Sequence, residues 1–164
     1  MTTRKMGIER FGITSSKPSD AIVAALKAKV GRLDLAEFSK ISKSGGPFSE
    51  LEEMISRDVG QAQLMLFLEL DHGAVLQKET GLDKPRMVRF VIGNPFIMKE
   101  LVKHVPDAGS YAPVTVLVDE RSDGVHISYD TMTGYLTPYE NSAALKVAVD
   151  LDAKVEALLA SVVG

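Results

Sequence analysis

Residues 87–130 read MVRFVIGNPFIMKELVKHVPDAGSYAPVTVLVDERSDGVHISYD, and this stretch decides the fold. Its first part, Met87–Ile92, is mostly apolar and predicts a β-strand. Asn94 and Pro95 follow, and they favour a helix start, because asparagine caps open backbone N–H groups and proline needs no N–H at the first helical position. Apolar residues then recur at helical spacing as far as Val102.

The second part of the stretch predicts a β-hairpin. Val114–Val118 and Val125–Tyr129 are rich in β-branched residues, and Asp123-Gly124 between them is a typical turn pair. A strand and a helix are therefore followed by two adjacent antiparallel strands. The order does not alternate strictly between strand and helix, which favours an α+β fold over a parallel α/β one.

The remaining elements lie on both sides of this stretch. Ile8–Thr14 predicts a first strand, and residues 18–30 predict a helix that stops at Gly31. Leu64–Leu70 is apolar at nearly every position, so we expect it in the interior of a sheet. Asn141 is expected to cap a long final helix with one apolar stripe.

The segment 32–63 is less regular. Its first half fits neither helical nor strand spacing and ends in the loop sequence Ser44–Pro47. Ser49 and Glu52 have capping-box spacing, in which each side chain satisfies the other's open backbone donor. We therefore predict a helix over residues 49–59.

These patterns together predict one α+β domain over residues 1–164. We expect a two-layer sandwich, with helices packed on one face of a mixed or antiparallel sheet. The other face of so small a sheet is often covered by a second copy of the chain. A homodimer is accordingly expected.

Composition narrows the classes of function. The chain has 164 residues, of which 45% are hydrophobic and 25% charged, as in an ordinary globular domain. Its net charge of −3 makes nucleic acid or an anionic membrane an unexpected partner. The sequence has no cysteine, which excludes disulfides and thiolate chemistry.

Targeting signals are the next consideration. The amino-terminal residues contain no apolar run typical of a signal peptide. No run approaches the roughly 20 apolar residues of a membrane span. We therefore predict a cytoplasmic protein.

An ordered set of four short segments resembles the domain-of-unknown-function 302 family. They follow the family pattern of a strand ending in Asp-His, a Gly-Asn-Pro turn, a strand led by proline and a strand ending in tyrosine. The segments are Phe67–His72, Phe90–Pro95, Ala112–Val118 and Asp123–Tyr129.

The resemblance covers roughly residues 8–30 and 67–159. It implies a compact α+β domain that is commonly dimeric, and it carries no established reaction. Residues 31–63 look like an insertion relative to the family. Phe96–Lys99 also replaces a turn of small residues that many members carry, so a ligand site formed there would differ.

His72 is the first candidate for chemistry. It follows a predicted buried strand, where residues often line pockets. A histidine titrates near neutrality, so His72 could act as a general base or as a metal or haem ligand. Alternatively it is a hydrogen-bonded structural histidine at a strand end.

Glu69 is the second candidate. An acid within an apolar strand needs a partner or a raised pKa, and both occur at catalytic sites. Alternatively Glu69 pairs with an arginine such as Arg89.

The candidate ligand-binding residues are Asn94, Tyr129, Tyr111 and Tyr135. Tyrosines at strand ends can hydrogen-bond a ligand while they cover an apolar cavity. Asn94 lies at the turn before a helix. The alternatives are that Asn94 is only a helix cap and that the tyrosines complete a core edge.

His126, Ser128 and Asp130 resemble a catalytic triad only in composition. Residues two apart on a strand are about 6.6 Å apart, which is too loose for a triad. A solvated polar strand face is therefore the better interpretation. The three histidines lack metal-ligand spacing, so no metal site is predicted, although a single axial histidine to haem remains possible.

Two classes of function stay open at this point. In the first, the domain binds a small apolar or amphipathic molecule in a pocket near His72, Asn94 and Tyr129, as a carrier, a sensor or an enzyme. In the second, it is a structural or interaction module that acts through its dimer sheet and the helix 49–59. The cofactor, if there is one, is unknown.

Overall fold

The chain folds around one sheet in a computed structural model that describes residues 1, 3, 5–83 and 85–164. Six strands within these ranges form a mixed sheet in the order β1-β6-β5-β4-β3-β2. Only β2 and β3 are parallel among the neighbouring pairs. The strands are β1 (Arg10–Ser15), β2 (Gly31–Arg32), β3 (Met65–Asp71), β4 (Met87–Gly93), β5 (Val114–Arg121) and β6 (Gly124–Asp130).

Seven α-helices lie within the same described ranges, which confirms the α+β class. Two short 3-10 helices follow α5 and α6, at Pro106–Ser110 and Thr137–Tyr139. None of these helices is both long and apolar enough to cross a membrane. The α-helices are α1 (Ser19–Lys29), α2 (Leu35–Ser42), α3 (Phe48–Asp58), α4 (His72–Thr80), α5 (Pro95–Val102), α6 (Met132–Leu136) and α7 (Ser142–Val163).

The stretch 87–130 folds as its sequence predicts, into β4, α5, β5 and β6. The Asn94 Oδ1 atom accepts a hydrogen bond from the Phe96 backbone N–H at 2.9 Å and so caps α5. Gly124 opens β6 with a φ of 136°, a conformation that L-residues rarely adopt. The turn between β5 and β6 therefore depends on this glycine.

One face of the sheet carries the main core. Alternate residues of β4, β5 and β6, such as Phe90, Val116 and Ile127, are fully or almost fully buried on this face. They pack in one cluster with Ile22 of α1 and Leu151 of α7. The expected layer of helices on one sheet face is thus present.

The third strand lies between β4 and β2 in the sheet order, as predicted, but β2 is too short to cover most of its length. β2 pairs only with Met65 and Leu66. From Phe67 onward, the outer edge of β3 faces no strand in the described part of the chain, and Leu68 is 46% exposed. Neighbouring strands on both edges therefore do not explain the apolar sequence of β3.

The segment 32–63 folds into β2 and the pair α2–α3. Met54 and Ile55 of α3 form a second buried cluster with Met65 of β3 and with Leu33, which lies between β2 and α2. Met65 precedes Leu66 of the main core, so strand alternation places the second cluster on the opposite face of the sheet, at its β2–β3 corner.

The predicted capping box does not form. Helix α3 begins at Phe48, and Pro47 occupies the capping position without a side-chain hydrogen bond. The glutamate of the box lies further inside the helix than the box requires. The predicted helix itself is present, at residues 48–58.

The rest of this opposite face is not covered by a helix layer, and we call it the open face. Facing residues of neighbouring strands share a side of the sheet, so the pairs Leu68–Val91 and Arg89–Leu117 lie there together. The open face includes Leu68, Leu70, Arg89, Val91, Thr115, Leu117, Ser128 and Asp130, with Gly12 and Arg10 of β1 opposite the last two.

Candidate functional site

An apolar cavity of about 250 Å³ lies where β4 ends and α5 and β5 begin. Leu101, Val114 and Leu151 are buried and form its floor, while Gly109 on its rim is exposed. Among the lining residues that the structure describes, only Asn94 has a polar side chain. The lining consists of Phe38, Phe67, Gly93, Asn94, Pro95, Ile97, Met98, Leu101, Gly109, Ala112, Pro113, Val114 and Leu151.

The wall of this cavity depends on a close approach of two strands' ends. A Cβ atom on Gly93 would lie 3.0 Å from the Cβ atom of Pro113, which is tighter than almost all real contacts. Glycine at 93 therefore allows Pro113 to close one side of the cavity. Phe38 of α2 closes another, so the segment 32–63 contributes to the site.

Asn94 is the polar group of the cavity, and its amide is partly used. Its Oδ1 atom caps α5, and its Nδ2 atom donates a hydrogen bond to the Gln63 carbonyl at 3.1 Å. An amide carries two donor hydrogens and two acceptor lone pairs. These two bonds leave one donor hydrogen and one acceptor lone pair of the Asn94 amide unused.

His72 does not lie in this cavity. It is exposed, and it is the first residue of α4, which Asp71 caps by accepting a hydrogen bond from the Ala74 N–H at 2.9 Å. Met65 of β3 pairs with Gly93, so the cavity is at the other end of that strand. At about 3.3 Å per residue the two ends are about 20 Å apart. In the described part of the chain, His72 and Asn94 therefore lie too far apart to line one pocket.

Glu69 is not a buried acid. It is exposed, and its carboxylate accepts a hydrogen bond from the Lys27 Nζ atom of α1 at 2.7 Å. The expected partner Arg89 lies on the opposite face, because Glu69 pairs with Phe90 of the core face. The geometry gives Glu69 a surface ion pair and brings no substrate cavity to it.

Tyr129 is enclosed in the core and is only 1% exposed. Its hydroxyl donates to the Asp152 Oδ1 atom at 2.5 Å and accepts from the Met132 N–H at 3.3 Å. Burial, followed by the Asp152 carboxylate, raises the pKa of Tyr129 well above its ordinary value. This tyrosine is therefore closed off from a ligand. It completes the edge of the core, as the alternative prediction for the tyrosines stated.

Tyr111 and Tyr135 lie together at a second, smaller cavity on the open face. Their rings stack with centroids 4.6 Å apart and planes 10° apart. The Tyr111 hydroxyl lies 3.0 Å from that of Tyr139. The structure thus brings two of the four predicted ligand-binding residues into contact and separates them from Asn94 and Tyr129.

His126 joins a polar group that differs from the predicted strand-face set. Its Nε2 atom lies 2.8 Å from the Asp123 Oδ1 atom, and its Nδ1 atom lies 3.5 Å from the Thr14 hydroxyl. The hydrogen bond from His126 lowers the pKa of Asp123. His126 lines neither of the two cavities described above. Within the described ranges, no three acids or histidines are grouped so as to hold a metal ion.

Fold and cavity together define the class of this protein: an α+β domain with one helix-covered sheet face, one largely open face and an apolar cavity at the strand ends. The chain belongs to the family described as "Domain of unknown function DUF302", whose profile matches residues 38–162. The match begins inside the segment 32–63 and therefore includes α3. It does not include β1 and α1, from which part of the resemblance was drawn.

A solved structure has a similar fold. It is described as "Crystal structure of uncharacterized conserved protein DUF302 from Bacillus stearothermophilus". The similarity covers 94% of this chain and 98% of that chain, with a TM-score of 0.64 and 15% sequence identity. At this identity the likeness shows a shared fold and nothing about function. No curated protein gives a significant sequence match.

Several residues of the site were not predicted. Phe38, Leu101 and Leu151 come from three helices, and nothing in their local sequence distinguishes cavity lining from ordinary core. Asp152 carried a usable signal, because it stands in the apolar stripe of α7 beside Leu151 and Val155, where a solvated acid is not expected.

Proposed function

We propose that the domain binds a small apolar or amphipathic molecule in the cavity at the start of α5. The observation that carries the proposal is the cavity itself, which has about 250 Å³ of space and an almost wholly apolar lining. A dry cavity of roughly 150 Å³ already takes up benzene. A fused two-ring molecule or a short aliphatic chain therefore matches the space.

The lining further favours a carrier or sensor over an enzyme. The described residues around the cavity include no acid, base or hydroxyl nucleophile. General acid–base or covalent catalysis needs such a group within hydrogen-bond reach of the substrate. Asn94 alone supplies polarity, and we assign it the role of orienting one polar atom of the ligand.

Methyl NMR tests this proposal directly. Protein with ¹³C-methyl methionine is titrated with indole and, separately, with octanoate, which represent the two ligand shapes. We expect the Met98 methyl signal to shift and saturate, while that of Met54 in the second cluster stays in place. A Met98 signal that responds to neither compound would contradict the proposal.

A matched pair of variants locates the binding. Gly109→Leu places a side chain at the cavity opening, where a built Cβ atom has only Val102 as a neighbour, at 3.6 Å. Gly45→Leu makes the same change in a loop position with open space around it. Binding should weaken at least tenfold in Gly109→Leu and stay unchanged in Gly45→Leu. Equal binding by both would place the ligand elsewhere.

The open face favours a second candidate, a homodimer. Its apolar part, from β3 to β5, contains Leu68, Leu70, Val91 and Leu117, and Leu68 is 46% exposed. The face also carries both signs of charge, with Arg89 on β4 and Asp130 at the end of β6. A surface with both signs can match a copy of itself across a two-fold axis. Light scattering on the purified protein tests the dimer.

Helix α3 as a partner site stays a prediction. Phe48 at its start is 48% exposed, but its ring also packs on Phe96 with centroids 5.9 Å apart. The corresponding measurement compares the Phe48→Ser variant with the unchanged protein for binding of a partner from a cell extract.

A further inference from the structure

The second cavity lies on the open face and differs in chemistry from the first. It has a volume of about 130 Å³, and its wall is mostly polar or aromatic. It shares only Pro113 and Val114 with the apolar cavity. The lining consists of Arg89, Ser110, Tyr111, Pro113, Val114, Thr115, Asp130 and Tyr135.

Arg89 gives this cavity an available positive charge. It is exposed, and its side chain makes no hydrogen bond or ion pair with any residue that the structure describes. The acid in the same wall, Asp130, is already held by Arg10, whose Nε and Nη2 atoms donate to its two oxygens at 2.6 and 2.8 Å. Asp130 therefore does not neutralise Arg89, and the cavity retains one guanidinium group for a ligand.

The other walls favour a flat ligand with hydrogen-bond acceptors. Tyr111 and Tyr135 stack in parallel and present aromatic surface. Ser110 and Thr115 add hydroxyl groups that can donate to an oxygen. A guanidinium group matches a carboxylate well, since two parallel N–H donors face two oxygens in one plane.

We propose that this cavity is a binding site for a small monocarboxylate with a flat substituent. The carboxylate pairs with Arg89 and accepts from Thr115, while the flat part lies along the tyrosine rings. The volume of about 130 Å³ is smaller than the roughly 150 Å³ of a cavity that holds benzene, so the carboxylate would lie inside the cavity and part of the flat substituent would extend out of it. The site is separate from the apolar cavity, and its failure leaves the proposed function above untouched.

The test uses benzoate as the probe and backbone amide NMR of the full chain as the measurement. We expect the amide signals of Thr115 and Tyr135 to shift and saturate with benzoate. Arg89→Met should weaken the binding at least tenfold. Arg32→Met, which removes an exposed arginine from β2, is the matched control and should leave it unchanged.

Three results would overturn the proposal. In the first, benzoate moves neither amide signal of the unchanged protein. In the second, inorganic phosphate shifts these signals and benzoate does not, which makes the site one for tetrahedral anions. In the third, Arg89→Met alters the mass of the particle in solution and leaves benzoate binding intact, which assigns Arg89 to contact with a second copy.

Discussion

Asp152 accepts more hydrogen bonds than any other side chain described above. It is 6% exposed and accepts hydrogen bonds from the Tyr129 hydroxyl, the Met132 N–H, the Thr133 N–H and the Thr133 hydroxyl. Through these bonds one carboxylate joins α7 to β6 and to the first turn of α6. Its role is structural, because every oxygen faces a protein donor.

Replacing this acid should therefore cost stability. Asp152→Ala leaves buried donors without an acceptor, and hydrogen bonds to a charged group contribute about 1.5–3 kcal/mol each. We expect the free energy of unfolding to fall by about 3 kcal/mol in urea titrations. Asp150→Ala, on the exposed side of the same helix, is the control and should change it by less than about 0.5 kcal/mol.

Tyr129 predicts a pH dependence. Burial and the Asp152 carboxylate raise its pKa in the folded protein, whereas in the unfolded chain it ionises near the ordinary 10.0. A raised folded pKa means that the neutral hydroxyl stabilises the fold below pH 10, and that this contribution is lost as the pH rises above 10. The stability advantage of the unchanged protein over Tyr129→Phe should thus shrink between pH 9 and 11. A constant difference over that range would show that the hydroxyl is not linked to folding.

His72 should be dispensable for ligand binding in the apolar cavity. The side chain is exposed at the start of α4, at the far end of β3 from Asn94. His72→Ala should leave the fold unchanged, and the Met98 methyl shift with indole should keep its dissociation constant within a factor of two. If a folded His72→Ala protein loses binding, His72 is a site residue, and the ligand does not bind in the apolar cavity.

At the scale of elements, two asparagine caps invite comparison. Asn94 and Asn141 each accept a backbone hydrogen bond at 2.9 Å, from Phe96 and Ala144. Loss of such a cap costs about 1 kcal/mol. The Asn94 Nδ2 atom also donates to the Gln63 carbonyl at 3.1 Å and so ties α5 to the loop before β3, whereas the matching bond from Asn141 Nδ2 to the His104 carbonyl is longer and weaker, at 3.5 Å.

We therefore expect Asn94→Ala to lower the free energy of unfolding by about 2 kcal/mol and Asn141→Ala by about 1 kcal/mol. Urea titration measures both. Only Asn94→Ala should also shift the Met98 methyl signal without ligand, because only Asn94 lines the cavity. Equal losses and an unmoved Met98 would mean that Asn94 acts as a cap alone.

Local signals such as these caps decide which elements can be predicted from the sequence. β4, α5, β5, β6 and α7 have strong local signals: apolar runs, Asn-Pro or Asn starts and an Asp-Gly turn. Helix α4 has cap residues, Asp71 and Gly81, but it follows β3 without a break and buries only Gly73, so no apolar pattern marks it. Helix α2 is capped by Asp34 but buries no residue completely. Both helices depend on contacts that the local sequence does not specify.

The candidate site is a property of the whole molecule for the same reason. Its walls come from α2, β3, the β4–α5 turn, the 3-10 helix after α5, β5 and α7. Only Asn94 and the Gly-Asn-Pro turn were identifiable beforehand, because capping chemistry is local. His72 and Tyr129 were assigned to a pocket because each lies at a strand end. In the structure His72 follows β3 into solvent, and Tyr129 near the end of β6 is buried in the core.

The size of the open face sets what kind of dimer to expect. The face from β1 to β3 is about 19 Å wide at 4.8 Å per strand and about 23 Å long, or roughly 450 Å². Two copies would bury roughly 900 Å², below the roughly 1,200 Å² of stable complexes. The dimer should therefore dissociate on dilution.

Leu68→Asp tests this association, because it places a charge in the apolar part of the open face, on β3. Light scattering between about 10 and 500 µM should show the mass of the unchanged protein rising towards twice that of one chain. Leu68→Asp should remain at one chain throughout, with an unchanged circular dichroism spectrum. Val75→Asp, at a 70% exposed position on α4, is the matched control and should associate normally. If the unchanged protein stays at the mass of one chain at 500 µM, or if Val75→Asp dissociates as fully as Leu68→Asp, the open face is not the dimer surface.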